Sequence, residues 1–340
     1  MRSSSSNPWA NEPKSGVQTP LLYSYAHIKD WDEEEQANLI ANPAFKVLID
    51  SGGFSALNAG YEIDLDEYMA WLKKWEKHLH AYVALDKLGD PVQTDINLKK
   101  MQDAGLNPVP VFVRGETEER MDELFEMSDY VAIGGLRRPH RGQASVQYVA
   151  ERMRWAKGRN VHWLGWTKLD AIQHFKPHSV DCSSWSSGLR YGSLHIYEGR
   201  GRWFPQITWG KEGHKRNILD GYRLTPAEAR VVANAGVPES WLYDETRWSH
   251  NKEGYVYYDN SVLSVLAGHS WVRFADDIRR YWGTSHYIAC SVLKSHFLQP
   301  LHWANCLYHH GREALENPML LPDEYKAPEV SRFVNQSVEA

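Results

Sequence analysis

The stretch Val47-Leu48-Ile49-Asp50-Ser51-Gly52-Gly53-Phe54 decides the fold. Apolar residues that run into an acid, a hydroxyl and two glycines form the pattern of a buried parallel strand ending in a loop. Glycine alone accepts positive φ and close contact without a Cβ penalty, so Gly52 and Gly53 predict a loop that a flat ligand approaches closely. An acid at the carboxyl end of a barrel strand points to catalysis more than to structure.

The pattern recurs downstream. Apolar runs at Leu21–Ala26, Val47–Asp50, Ala81–Asp86, Val109–Arg114, Tyr130–Ile133, Val161–Trp166 and Ser179–Cys182 predict seven strands. Helical spacing predicts helices between them, at Asp30–Ala41, Asp64–His80, Pro91–Ala104, Thr117–Met127, Gln143–Lys157 and Leu169–Phe175. Strands alternating with helices of this length imply βαβ units and a parallel sheet. The series predicts an α/β fold, a (β/α)8 TIM barrel, with Leu194–Tyr197 or Gln206–Trp209 as candidates for the eighth strand. No GxGxxG follows the first strand, which weighs against a dinucleotide-binding sheet. The rhythm breaks between residues 183 and 223, the expected insertion, and helices at Thr225–Ala235, Asp259–Tyr281 and Ser291–Glu316 predict a C-terminal helical extension within 225–320. Residues 1–18, polar and Ser-rich, are expected to be a flexible lead-in to a single catalytic domain over 19–340.

A chain of 340 residues with 42% hydrophobic residues and 15 Trp suits a barrel with additions. A mean hydropathy of −0.56 and no apolar run near 20 residues exclude a membrane-spanning helix. Cys182, Cys290 and Cys306 fit neither a disulfide framework nor a CxxC zinc site, so a cytoplasmic location with plain buried thiols is expected. The net charge of −5 confines any nucleic-acid contact to a local basic region.

In a parallel barrel the strand ends converge on one mouth. Asp50, Asp86, Arg114-Gly115, Gly134-Gly135-Leu136, Gly165 and Asp181 would therefore share one pocket. Three aspartates there suit metal binding or paired-carboxylate catalysis at a sugar carbon. His162 falls inside a strand and His140 in a loop, so no histidine sits at a strand end, and this favours the second chemistry. The insertion adds a local surface. Between Ser186 and Arg223 seven basic residues face three acids, a balance of +4, with Tyr191, Tyr197, Trp203, Phe204, Trp209 and Tyr222 interleaved. Arg190, Arg200, Arg202, Lys215 and Arg216, with Arg137 and Arg138 after the glycine pair, are the expected phosphate contacts, and the aromatics are expected to stack on bases.

Asp50-Ser51-Gly52-Gly53-Phe54, Gly134-Gly135-Leu136, Leu164-Gly165 and Val180-Asp181-Cys182, in this order, resemble the motifs of the tRNA-guanine transglycosylase superfamily. Leu301-His302-Trp303-Ala304-Asn305-Cys306-Leu307-Tyr308 is similar to that family's closing helix. The resemblance covers about residues 19 to 185 and the last helical stretch. It implies a TIM barrel that exchanges guanine for a 7-deazaguanine base in a polynucleotide, with no metal in the chemistry and no cofactor. It also implies roles. Asp181 would be the nucleophile at C1′ and Asp50 the general acid/base. Ser51, Gly52, Gly53, Phe54, Asp86, Arg114, Gly134, Gly135 and Leu136 would bind the base.

The departures narrow it. No cysteine lies between Cys182 and Cys290, so the zinc site of the tRNA enzymes is missing. Arg114-Gly115 stands where Gln-Gly is usual, and Ser55 where Gln is usual. The pattern looks more like the 7-deazaguanine DNA transglycosylases of phages and bacterial DNA-modification clusters. DNA and a free base such as preQ0 or preQ1 are then the expected partners. The alternatives are a tRNA-guanine transglycosylase without the zinc site, a non-catalytic nucleic-acid-binding barrel subunit and a carboxylate-metal hydrolase.

Overall fold

The computed structural model describes residues 18–136, 143–186, 188, 192–210, 214–250, 256–258, 260–290, 301, 304–306 and 308–309. The expected lead-in, apart from Gln18, and most of the expected helix Ser291–Glu316 lie outside the described residues.

Eight strands form one parallel sheet. Seven arise before residue 183: β1 (Thr19–Ser24), β2 (Phe45–Asp50), β3 (Ala81–Tyr82), β4 (Val111–Phe112), β5 (Tyr130–Ile133), β6 (Asn160–Trp163) and β7 (Ser179–Cys182). Four short strands follow, β8 (Ser193–Leu194), β9 (Tyr197–Gly199), β10 (Arg202–Trp203) and β11 (Ile207–Thr208), then β12 (Trp248–His250), β13 (Val256–Tyr258) and β14 (Ser285–Ala289). The order across the large sheet is β3-β2-β1-β14-β7-β6-β5-β4. The sheet is curled, its helices are those of βαβ units, and the whole is compatible with a (β/α)8 barrel. One isolated parallel bridge, Val83 with Val109, lies between the two edge strands. There Val109 N–H donates to the Tyr82 carbonyl at 2.8 Å, and Ala84 N–H donates to that of Val109 at 2.9 Å.

The eighth strand is therefore β14, not Leu194–Tyr197 or Gln206–Trp209. Those segments make antiparallel pairs, β11 with β8 and β10 with β9. β14 pairs with β1 on one side and β7 on the other. A loop-rich excursion of about a hundred residues separates β7 from its neighbour. The cost of closing a long loop rises only slowly with its length.

Side-chain caps fix where the helices begin. Asp32, Asp64, Asp90 and Thr117 each accept a backbone N–H three residues on, starting Glu33–Ile40, Leu65–Trp75, Pro91–Asp103 and Glu118–Met127. Pleat alternation sorts the strand residues. Leu22, Leu48, Val83, Val109, Val111, Ala132, Tyr287 and Ala289 fill the concave side of the sheet. Tyr23, Val47, Ile49, Val131, Ile133, Val161, Trp163 and Val180 pack outward under the helices.

The excursion carries its own core. Leu194, Ile196, Ile207, Trp209, Ile218, Val231, Val232 and Leu242 form a second buried cluster with Val262, Leu263 and Leu266. The helix Pro226–Asn234 belongs to this cluster, so the insertion runs past residue 223 and takes in the first expected C-terminal helix. The helix Asn260–Trp282 spans both cores, with Val262–Leu266 in the second and Val272, Phe274 and Ile278 in the first. No helix among the described residues is long and apolar enough to cross a membrane.

Candidate functional site

Period-two alternation aims the decisive acids. Asp50 shares a strand face with Leu48, and Asp181 with Ser179, so both carboxylates point to the concave side at the carboxyl ends of their strands. There they open onto one cavity of about 490 Å³, with Asp86 on its wall. That volume lies within the usual range for small-molecule sites. Arg114, Gly134, Gly135, Leu136 and Phe54 also line it.

Ser51, Gly52 and Gly53 are expected base contacts, but they do not line the cavity. Gly52 has φ +82°, and a Cβ there would lie 2.3 Å from Ser24 Oγ and 2.5 Å from Ala26 Cβ. A Cβ on Gly53 would lie 2.9 Å from the Asp86 carbonyl oxygen. The glycines thus let the ends of β1, β2 and β3 crowd together, and it is this crowding that brings Asp50 and Asp86 onto one cavity. Ser51 is fully buried, and its hydroxyl donates to Asp86 Oδ1 at 3.4 Å. Gly52→Ala combines left-handed strain of about 1–2 kcal/mol with overpacking of about 1–3 kcal/mol. We expect it to lose about 3 kcal/mol in denaturant unfolding.

Burial raises two of the acids. Burial, and then the charges of Asp86 and Asp181, push the Asp50 carboxyl up to about 7, against hydrogen bonds from the Gly52 and Ser51 backbone. Burial also raises Asp86, partly offset by its own backbone N–H and by the Ser51 hydroxyl. Asp50 keeps water contact through the open cavity, so its burial is incomplete at the surface. Asp181 is 4% exposed, and its Oδ1 accepts Gly165 N–H at 2.7 Å. His162 Nε2 lies 3.2 Å from the same oxygen, off the line of a hydrogen bond. The adjacent Cys182 is buried and its thiol is pushed up by burial, and Cys290 is pushed up to about 12, so neither is an activated nucleophile.

Arg114 brings the positive charge. Its Nη2 donates to the Gly135 carbonyl at 3.2 Å, and its guanidinium lies 4.3 Å from the Tyr148 ring centre. Its Nε is buried without a partner. Among the described residues no carboxylate is paired with it, which leaves it donors for a ligand.

Among the cavity residues that escaped the sequence are Ser24, His27, Asn58 and Ala289. Ser24 ends β1 and His27 lies in the short helix Tyr25–Ile28 just after it, so the strand-end rule applied to β1 would have pointed to this corner of the cavity. Burial lowers the His27 pKa, which favours a neutral imidazole there. Ala289 escaped because β14 itself did.

The expected nucleic-acid surface divides. Arg137, Arg138 and Arg190 lie outside the described residues. Arg200, Arg202 and Lys215 are exposed, although Arg202 also pairs with Glu198 at 3.0 Å. Arg216 is turned inward. Its guanidinium pairs with the fully buried Glu228 and stacks over Tyr222. Glu228 also accepts from Thr225 N–H and Oγ1 at 2.9 Å each and from the Tyr222 hydroxyl at 2.7 Å, closing a capping box. Removing one partner of such a pair strands a buried charge. Arg216→Met is therefore expected to cost about 3 kcal/mol, and Arg202→Ala less than about 1 kcal/mol, by the same unfolding measurement.

The described aromatics of the insertion pack into the cores, and Tyr191 lies outside the described residues. Tyr197 and Trp209 are buried, and Trp203 packs at 5.0 Å on Trp271 and 5.5 Å on Phe274. Tyr222 is held by Glu228. These rings are not free to stack on bases; an apolar core for the insertion needed them. Among the described residues no three His, Cys, Asp or Glu side chains are grouped as metal ligands. No family model matches the chain, no curated protein matches it, and no solved structure matches it.

Proposed function

We propose that this chain is a DNA-guanine transglycosylase, which replaces guanine in DNA by a 7-deazaguanine base through a covalent aspartyl-nucleoside intermediate. The observation that carries this is the convergence of Asp50 and Asp181, 131 positions apart in the sequence, on one cavity in which burial raises the proton affinity of Asp50. A buried carboxyl with a raised proton affinity, set in a cleft beside a second carboxyl, marks a candidate acid/base.

Asp181 attacks C1′ of the extruded nucleoside as the C1′–N9 bond breaks, and Asp50 hands its proton to the departing guanine. The incoming base then gives its N–H proton to Asp50, bonds to C1′ and displaces the Asp181 carboxylate. Both displacements pass through an oxocarbenium-like state that the carboxylate stabilises. A proton affinity near 7 suits a group that gives and then takes a proton. Asp86 accepts from the donor edge of the base. Arg114 donates to its acceptor edge, the pairing that guanidinium groups make with guanine. Phe54 covers a base face, and the Gly134-Gly135 backbone supplies further polar groups. The target must leave its stack to reach such a cavity, and the exposed Arg200, Arg202 and Lys215 are left to hold phosphates.

The same proposal takes the curled sheet as a closed (β/α)8 barrel, supported by the parallel bridge of Val83 with Val109 between its edge strands. The test is exchange of labelled guanine and of preQ0 or preQ1 into duplex DNA and into tRNA, with and without a chelator. Incorporation into DNA with chelator present is the expected result. Incorporation into tRNA alone moves the substrate to RNA, loss on chelation moves the chemistry to a metal, and incorporation into neither leaves a binding barrel.

A further inference from the structure

A buried polar chain runs behind Asp181. His162, on β6, is 1% exposed, and its Nδ1 lies 2.6 Å from Ser179 Oγ. Ser179, also 1% exposed, meets the Tyr130 hydroxyl. Sheet register sets this up, because His162 and Ser179 are paired residues of β6 and β7, and Ser179 stands two residues before Asp181 on the same strand face. Tyr287, paired with Asp181 across β14 and β7, sets its ring 6.0 Å from the His162 ring.

Ser179, His162 and Asp181 form a serine–histidine–aspartate series, but it is turned round. The serine is sealed in and does not line the cavity, whereas the aspartate does. A serine nucleophile must be reachable, so this series activates no serine. Its polar end is the carboxylate. Both contacts of the Asp181 carboxylate fall on Oδ1, from Gly165 N–H and from His162 Nε2. Oδ2 is left for the cavity.

The direction of the chain follows from what each group can give. The phenol of Tyr130 is pushed up to about 12, mainly by burial, so it keeps its proton and donates to Ser179 Oγ. The Ser179 hydroxyl is then free to donate to His162 Nδ1, which leaves the ring proton on Nε2, facing Asp181.

We propose that His162 is a positioning residue for Asp181, held as its Nε2–H tautomer by Ser179 and Tyr130, so that Oδ2 attacks C1′ and the carboxylate departs more readily. The proposal rests on the transglycosylase mechanism above. In the second displacement the C1′–Oδ2 bond breaks and its electron pair stays on the Asp181 carboxyl. The incoming nitrogen supplies the pair for the new bond to C1′, and its proton goes to Asp50. An N–H beside Oδ1, once turned onto that oxygen, favours the carboxylate over the ester, so it matters most in this step. The 3.2 Å contact closes to a hydrogen bond as charge returns, since catalytic hydrogen bonds are often long before the substrate is in place.

Three variants and one spectrum test this. His162→Leu is expected to lower kcat about 10–100-fold, the weight of one hydrogen bond to a charged oxygen. KM should be little changed, while the fraction of enzyme carrying the covalent nucleoside adduct rises. His162→Gln, whose amide N–H reaches toward Oδ1, is expected to restore most of kcat and return the adduct to the wild-type level. Ser179→Ala removes only the tautomer lock and carries the test should His162→Leu fail to fold; it should give a smaller loss in the same direction. The 15N spectrum of histidine-labelled wild-type protein, with His162 assigned by its absence from His162→Gln, is expected to show an Nε2–H ring. Unchanged kcat and adduct level in both His162→Leu and Ser179→Ala, equal losses in His162→Leu and His162→Gln, or an Nδ1–H or doubly protonated ring would each overturn the assignment. A wild-type protein that exchanges no base on any nucleic acid would instead overturn the function and with it the departure step, while the spectrum still decides the tautomer.

Discussion

Asp181→Asn is expected to exchange no base: kcat falls by about 10³-fold or more and no covalent adduct forms, in the range seen when a nucleophile is removed. The substitution separates chemistry from architecture. The asparagine carbonyl can take the place of Oδ1, accepting Gly165 N–H and facing His162, so the strand end keeps its anchor. The amide nitrogen replaces Oδ2, the oxygen that faces the cavity and has no partner among the described residues, and it cannot attack C1′. Stability should therefore stay within about 1 kcal/mol of wild type, as for a near-isosteric change, and DNA affinity should persist. The checks are mass spectrometry of denatured enzyme–DNA mixtures, a labelled-base exchange assay and denaturant unfolding. A variant that still exchanges at a tenth of the wild-type rate would mean that Asp181 is not the nucleophile.

The strand ends were legible because two local signals agreed. An apolar run fixes a buried strand, and the acid or glycine that stops it marks the mouth, so Asp50, Asp86, Arg114, Gly134, Gly135 and Asp181 emerge without any long-range information. What the run cannot say is what a glycine is for. Gly52 and Gly53 look like ligand contacts, but they make room for Ser24, Ala26 and the Asp86 carbonyl, neighbours brought in from other strands. The eighth strand was hidden for a similar reason. Ser285–Ala289 is five residues long, follows a 23-residue helix and comes after the break in rhythm, and its place is fixed only by pairing with β1 and β7. Local charge and aromatic content mislead most in the insertion. Arg216 and Tyr222 serve the buried Glu228, and Trp203 and Trp209 fill cores. A segment that needs an apolar cluster of its own uses the same residue types that a nucleic-acid surface would use. His162 was overlooked because a histidine within a strand is usually part of the core; only the register with Ser179 places it behind the carboxylate.

Asp50→Asn is expected to stop turnover and, at pH 8, to make the protein more stable. A carboxyl raised from 3.8 to about 7 keeps its proton in the folded protein at pH values where the unfolded chain has lost it. Folding therefore takes up a proton between about pH 4 and 7, stability falls as the pH rises through that window, and above about 7 the cost is complete. Sealed from water, such a shift would amount to about 4 kcal/mol; water in the open cavity reduces the expected gain of Asp50→Asn to about 1–2 kcal/mol at pH 8. At pH 4 the gain should be nearly gone. Asparagine has no acid proton for the departing guanine, and a lost general acid costs about 10²–10⁴-fold in rate. Wild-type kcat/KM should decline as the pH rises through about 7, as Asp50 loses its proton. Asp181→Asn removes one of the charges that raise Asp50 and should lower its proton affinity, an effect that a carbon-13-labelled aspartate titration reads without any catalysis. Denaturant melts of wild type and Asp50→Asn from pH 4 to 9 measure the stability effect. If the two curves run parallel across that range, Asp50 does not carry a raised proton affinity, and an acid/base role for it at neutral pH loses its physical basis.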